Sequence, residues 1–236
     1  MGLLPYSAIS DSTRRRLKPQ SWTGLSDFAE AVAPLYRLDR WQGQSAHVEF
    51  FVEKDAMVGV ISPVTAHYDA HLNVIRGNAS ETFVYEVGKN WRHITKPIFA
   101  YYLGDHDPSG LQIEADLHKR LVKFAPTAKL SWKRVAIDGN DFRNRALLGF
   151  RIKGNRSKRA WRTKHREYLD CFGDRCVEVD ALDPTIIRER VREAIETHID
   201  QAEWVRLQEI EDQEQQLLES VLTQLSDKDG AEPAPV

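Results

Sequence analysis

"KPIFAYYLGDHDPSG", residues 96–110, is the stretch on which the fold turns. Ile98 to Leu103 is apolar almost without interruption, the pattern of a strand buried on both faces, and such strands belong to parallel sheets covered by helices. Asp105 and Asp107 follow at once, and Pro108 stands where a helix can start, because its missing N–H is not needed in the first turn. Asp-x-Asp before Pro and Gly is common turn chemistry. It also offers two hard oxygen ligands to a magnesium ion.

On the C-terminal side, "PSGLQIEADLHKRLVKF" carries Leu111, Ala115, Leu117, Leu121 and Val122 at helical spacing, and "KLSWKRVAI" reads as the next strand. On the N-terminal side, "SETFVYEVGKNWRHI" is a helix with Ser80 at its cap and Phe83, Val84, Val87 and Trp91 on one face. Before it come a short strand, "HLNVIRG", a helical stretch divided by Pro63, and a Val- and Phe-rich strand, "HVEFFVE", that ends on Glu53. "DRCVEVDAL" reads as a late strand. The alternation predicts an α/β fold, a largely parallel sheet flanked by helices, with a long helical C-terminal segment. Functional groups in such sheets collect at the carboxyl ends of the strands, so Glu53, Asp105 and Asp107 converge if their strands are neighbours.

The expected organisation is an arm at residues 1–45 with one helix, an α/β domain at 46–200, a C-terminal helix at 201–225 and a disordered tail at 226–236. In the arm, Ser26 is the expected cap of a helix whose apolar stripe is Phe28, Ala31, Val32 and Leu35. From Asp183 onward the chain reads as continuously helical, with Leu207, Ile210, Leu217, Val221 and Leu225 forming a stripe that packs on the core or, as a lesser alternative, against a second copy.

The chain has 236 residues, 42% hydrophobic and 29% charged, a composition suited to a globular protein. Its two cysteines, Cys171 and Cys176, have no second pair to complete a zinc site, and they read as reduced structural thiols. His67 and His71, four apart, could share a helix face as zinc ligands, but no third ligand motif accompanies them. The N-terminus lacks the pattern of a signal peptide and no run approaches the roughly 18 apolar residues of a membrane span, so a cytoplasmic protein is expected.

The net charge of −2 hides an asymmetry. Between Arg143 and Arg166 lie ten basic residues and no acid: Arg143, Arg145, Arg151, Lys153, Arg156, Lys158, Arg159, Arg162, Lys164 and Arg166. Phe150 and Trp161 are interleaved with them. Basic and aromatic side chains together suit a nucleic-acid backbone, and a solvated loop balancing acidic helices is the plainer alternative.

A Glu closing one apolar strand in "VEFFVEKDA" and an Asp-x-Asp closing another in "YYLGDHDPSG" resemble the Toprim domain of topoisomerases, bacterial primases and some nucleases. The Asp-x-Asp-Pro-x-Gly form is most similar to that of the A subunit of topoisomerase VI and its meiotic recombination relatives. The resemblance covers residues 46–200, including "VIRGNASETF" and "RCVEVDALDP". It implies a magnesium site, with manganese as a substitute, held by Asp105 and Asp107, with Glu53 as a further ligand or general acid/base. It implies DNA as the partner and phosphodiester cleavage or strand passage as the activity. Alternation along the strand end turns His106 away from the ion as a spacer. The family cuts with a tyrosine on a preceding winged-helix domain, and neither Tyr6 nor Tyr36 matches that motif. The nucleophile is therefore water or a tyrosine on a partner subunit, which in this family can also be an ATPase. A non-catalytic nucleic-acid-binding or docking subunit, or a homodimer, is the alternative reading.

Overall fold

The computed structural model describes residues 19, 21–144, 146–152 and 159–229. The chain divides into two compact units, one of Asp39–Gln208 and one combining Met1–Leu38 with Glu209–Val236.

The first unit is built on four parallel strands, β1 (His47–Val52), β2 (His71–Val74), β3 (Ile98–Leu103) and β4 (Leu130–Ala136), in the order β2-β1-β3-β4. The helices α2 (Val58–His67), α3 (Glu81–Trp91) and α4 (Pro108–Phe124) make the crossovers between successive strands. β1 and β3 are neighbours, with Val52 in register with Leu103. The order reverses direction between them: after β1 the chain moves outward to β2, then returns to the other side of β1. Crossovers that part on either side of a strand pair leave a crevice above its carboxyl ends.

The two faces of the sheet bury separate cores. Val48, Phe50, Val52, Tyr101 and Leu103 pack under α2 and α8 (Pro184–Glu196), meeting Ile61, Ile187, Val191 and Ile195. Phe51, Ile98, Ala100 and Tyr102 pack under α3 and α4, meeting Val84, Trp91, Leu117 and Leu121. β3 is thus covered on both sides, as its unbroken apolar run predicts. Each fully buried Leu, Ile or Phe contributes about 1.5–3 kcal/mol. The expected caps also form: the Ser80 hydroxyl accepts from Phe83 N–H at 3.2 Å, and Pro108 opens α4.

Residues 150–152 and 159–182 leave the pattern of the main sheet. The expected late strand is only β6 (Arg175–Cys176), paired antiparallel with β5 (Phe150–Arg151). Val177 then bridges the backbone of His106, and Val179–Ala181 turns in a 3-10 helix. The short helix α5 (Gly139–Arg143) precedes β5, and α6 (Arg159–Lys164) and α7 (Arg166–Phe172) lie between β5 and β6. Asp141, on α5, takes a two-pronged ion pair from Arg190 of α8 at 2.6 and 2.7 Å, which ties α5 to α8.

The helical run after Asp183 is two helices, not one. α8 ends at Glu196, and α9 (Gln201–Asp229) restarts after Asp200, whose carboxylate accepts from Ala202 and Glu203 N–H. Asp200 N–H also donates to Gln44 at 2.7 Å, and Trp41 meets Trp204 edge-on at 6.1 Å. These contacts place residues 39–45 and the start of α9 in the same unit as the sheet.

In the second unit, α1 (Leu25–Val32) is capped at Gly24 rather than Ser26. The expected stripe is not its buried face: Phe28 and Leu35 are exposed, whereas Ala29 is buried. Along α9, Leu207 is buried in the first unit, but Leu217 and Val221 are exposed. Residues 226–229, expected in the tail, continue the helix, and the remainder of the tail lies outside the described residues. No described helix is long and apolar enough to cross a membrane.

Candidate functional site

Glu53 follows β1 and Asp105 follows β3, so the pairing of those strands brings them together across one register position. Glu53 Oε2 accepts from the Asp105 backbone N–H at 3.2 Å and from the Tyr102 hydroxyl at 3.3 Å. Asp105 Oδ1 accepts from Val179 N–H at 2.9 Å, and its Oδ2 lies 3.1 Å from Lys54 Nζ. Lys54 also meets Glu178 at 3.3 Å and Asp180 at 3.5 Å. Asp107 caps α4, accepting from Gly110 N–H at 2.7 Å, so one of its oxygens is committed to the helix.

His106 turns away, as alternation predicts. It is buried, stacks on Phe142 at 4.1 Å, and its Nδ1 lies 3.1 Å from the Tyr168 hydroxyl. Burial and the nearby Arg134 hold its imidazole below the ordinary range.

Arg134 fastens the strand end. It pairs with Glu114 at 2.7 Å, and its Nη1 donates to the carbonyls of Gly104, Asp105 and Ile137 at 2.9–3.2 Å. Neither Arg134 nor the pair Glu178 and Asp180 was singled out by their sequence pattern. A signal existed for the latter: Glu-Val-Asp repeats the acid-x-acid spacing of Asp105 and Asp107, with the middle residue, Val179, fully buried.

Two glycines let these groups approach. A Cβ on Gly104 would lie 2.6 Å from Glu53 Oε2, and one on Gly110 would lie 2.4 Å from the Asp105 carbonyl oxygen. Gly110 is inside α4, where Ala is better than Gly by about 1 kcal/mol, but crowding a packed site costs about 1–3 kcal/mol. The crowded atom is backbone and cannot swing aside. Gly110→Ala is therefore expected to lower stability by about 1–2 kcal/mol in urea unfolding, and unchanged or increased stability would contradict this packing.

Three carboxylates, Asp105, Glu178 and Asp180, thus gather on the Lys54 ammonium, with Glu53 against the Asp105 backbone. Burial, and then the charge of Asp105, lift the Glu53 carboxyl above its ordinary range. Burial also lifts Asp105, against the opposing pull of Val179 N–H and Lys54. Burial alone would lower the Lys54 ammonium, but Asp105, Asp180 and Glu178 carry it above its usual value. A carboxyl with a raised folded-state pKa contributes stability that is fully present below its unfolded pKa of about 4 and is lost as pH rises through the folded value. Glu53→Gln is expected to stabilise the metal-free protein at pH 7, by less than about 1 kcal/mol because Glu53 is only half-buried. The gain should shrink as pH falls towards about 4, as read by unfolding midpoints across that range. A Gln variant less stable than the parent at pH 7 would contradict it.

The donor set fits magnesium or manganese: all carboxylate oxygens, with no imidazole or thiolate turned inward. Glu53 meets Asp105 through its backbone N–H, and the carboxylate oxygens of Glu53, Asp105 and Asp107 do not all lie within 4.8 Å of one another. Among the described residues, the group of three whose ligand atoms all lie within 4.8 Å of one another is His47, Glu49 and His71.

Of the basic segment, Arg143, Arg151, Arg159 and Arg166 are exposed. Arg162 and Lys164 lie on α6, while Arg145, Lys153, Arg156 and Lys158 fall outside the described residues. A cleft of about 640 Å³ runs between the start of α4 and α7, lined by Pro108, Gln112, His165 and Arg166. A second, of about 420 Å³, is lined by Leu148, Phe150, Glu178 and Asp180.

Other candidates separate. His67 ends α2 and His71 begins β2, so they share no helix face. Both cysteines are free; Cys171 is exposed, and burial pushes the Cys176 thiol up to about 11. The Tyr36 hydroxyl donates to Glu214 within the second unit, and Tyr6 lies outside the described residues. Burial and Glu53 push the Tyr102 hydroxyl far above its normal range, which leaves it unfit as a nucleophile.

Fold and site together define a parallel α/β domain with a carboxylate-lined crevice at the switch point of its sheet. In comparisons with known proteins, no family model matches the chain and no curated protein matches it significantly.

Proposed function

We infer that this chain is a Toprim-like, magnesium-dependent protein acting on DNA phosphodiesters, by strand cleavage or as the cleaving subunit of a strand-passing assembly. The observation that carries this reading is the hydrogen bond from Asp105 N–H to Glu53 Oε2 between the ends of two adjacent parallel strands. It supports a site in which residues distant in sequence are held at the place where α/β sheets do chemistry.

Asp105 and Asp107 would hold the ion, with Glu53 at its margin. A bound magnesium ion would neutralise charge on the phosphate oxygens. Glu53, with its raised affinity for a proton, is better suited than an ordinary carboxyl to donate that proton to the leaving oxygen. Lys54 stands beside Asp105 and can pair with a phosphate oxygen once the carboxylate is otherwise engaged. Exposed Arg143, Arg151, Arg159 and Arg166 would track the nucleic-acid backbone. The attacking oxygen comes from water or from a partner's tyrosine, since Tyr102, in contact with Glu53, is too firmly protonated to serve.

A second reading is a nucleic-acid-binding or docking subunit without chemistry. It is favoured by Lys54, which already neutralises Asp105, and by the exposed Leu217 and Val221 of α9. Supercoiled plasmid incubated with magnesium, manganese or EDTA separates the two. Metal-dependent nicking or relaxation supports the enzyme; a gel shift with plasmid left intact supports the binder and removes the stand-alone cleavage reading.

A further inference from the structure

A second cluster lies at the opposite end of the sheet from the acidic crevice. His47 opens β1, Glu49 follows two residues later, and His71 opens β2 in register with Glu49. Residues i and i+2 of a strand share a face, and so do residues paired across a parallel ladder, so the register alone gathers these three side chains. Their candidate ligand atoms all lie within 4.8 Å of one another, and the two imidazole rings are 5.5 Å apart.

Glu49 is buried, at 7% exposure, and its ion-pair partner among the described residues is His47 at 2.8 Å. Trp91 Nε1 donates to its Oε1 at 2.8 Å, and Asn73 Nδ2 to its Oε2 at 3.0 Å. Buried carboxylates are paired with a charge or coordinate a metal, and here the available charge partner is an imidazole, itself a metal ligand. A cavity of about 350 Å³ opens on the cluster, lined by His47, His71, Asp39 and Asp69. It provides an entry path and room for a further ligand.

We propose that His47, Glu49 and His71 form a binding site for a divalent transition metal, zinc above all, distinct from the carboxylate crevice. Two imidazoles and a carboxylate suit zinc and its neighbours, whereas magnesium takes oxygen ligands. A tetrahedral zinc with bonds of 2.0–2.1 Å needs ligand atoms about 3.3 Å apart. The 2.8 Å His47–Glu49 contact must open by about half an ångström, and His71 must close by side-chain rotation. On binding, His47 Nε2 gives up its hydrogen bond to Glu49 and coordinates as the neutral imidazole protonated on Nδ1. Trp91 and Asn73 keep their bonds to Glu49 and hold its carboxylate in place. Three protein ligands leave the fourth position facing the cavity, for water or for a carboxylate of Asp39 or Asp69.

The test uses the full chain stripped with chelator and then freed of it, titrated with zinc against a chromophoric chelator, and with cobalt as a spectroscopic reporter of four-coordinate geometry. One zinc per chain is expected. His71→Ala, at an exposed position, should preserve the fold and weaken binding by at least about tenfold. Asn73→Ala should weaken it about tenfold without removing a ligand. Asp105→Asn should leave zinc affinity unchanged, and excess magnesium should not compete. Absence of stoichiometric zinc, or equal affinity in His71→Ala, would overturn the proposal and leave the cluster a self-sufficient hydrogen-bond network. Neither result bears on the reading of the acidic crevice.

Discussion

Asp105→Asn is expected to lower metal-dependent phosphodiester cleavage by about a hundredfold or more while leaving the folded state no less stable at pH 7. Asparagine keeps the oxygen that accepts from Val179 N–H, so the local backbone has no reason to move. What it loses is the charge. Charge stabilisation by a bound ion contributes several kcal/mol to such a transition state, and each 1.36 kcal/mol is tenfold in rate. Stability should follow the opposite sign. Because burial raises the Asp105 carboxyl, keeping it ionised costs the fold free energy at neutral pH, and Lys54 retains Glu178 and Asp180 as partners when Asp105 is neutral. Plasmid cleavage rates and urea unfolding of the same preparations give both readouts. A variant with parental cleavage rates would remove Asp105 from the chemistry. A variant that simply unfolds would mean that the Lys54–Asp105 pair is structural. The separation of activity from stability is the pattern of a functional site kept at some expense to the fold.

Trp91→Ala carries the largest expected loss of stability, about 3–5 kcal/mol. The indole is fully buried at the end of α3, meets Phe51 edge-on at 6.0 Å, and donates to Glu49 at 2.8 Å. Truncation therefore removes a large apolar contact from the core beneath α3 and α4, and also takes a donor from a buried carboxylate. Trp91→Phe isolates the second effect. It keeps most of the ring volume but loses the N–H, and a hydrogen bond to a charged group contributes about 1.5–3 kcal/mol. Urea unfolding of the three proteins should rank them parent, Phe, Ala. A Phe variant equal to the parent would mean that Glu49 gains nothing from the indole, and an Ala variant within about 1 kcal/mol of the parent would contradict the packing itself.

Much of the architecture was legible in residue order because the signals are local. An unbroken apolar run marks β3, Asp107-Pro108 opens α4, and Ser80 with Val84, Val87 and Trp91 marks α3 and its buried face. The expectations that did not hold depended on partners far along the chain. The run after Asp183 shows helical periodicity throughout, yet it breaks before Asp200, whose N–H is taken by Gln44. His67 and His71 have the spacing of a helix face, but Asp69 adopts φ 50, a left-handed conformation that cannot continue the helix. The late strand is short because Val177 pairs with the backbone of His106, leaving Glu178 and Asp180 free to turn towards Lys54.

By itself the sequence determined the alternation of strands and helices, the openings of α3 at Ser80 and α4 at Pro108, and the placement of Glu53, Asp105 and Asp107 just beyond strand ends. Only the tertiary structure decided that β1 lies between β2 and β3. That order follows from which face each crossover helix covers, a matter of long-range packing that no local pattern encodes. It brings Glu53 to Asp105 at one end of the sheet and His71 to Glu49 at the other. It also accounts for Gly110, which reads in sequence as turn chemistry but leaves the space in which the first turn of α4 lies against the Asp105 carbonyl.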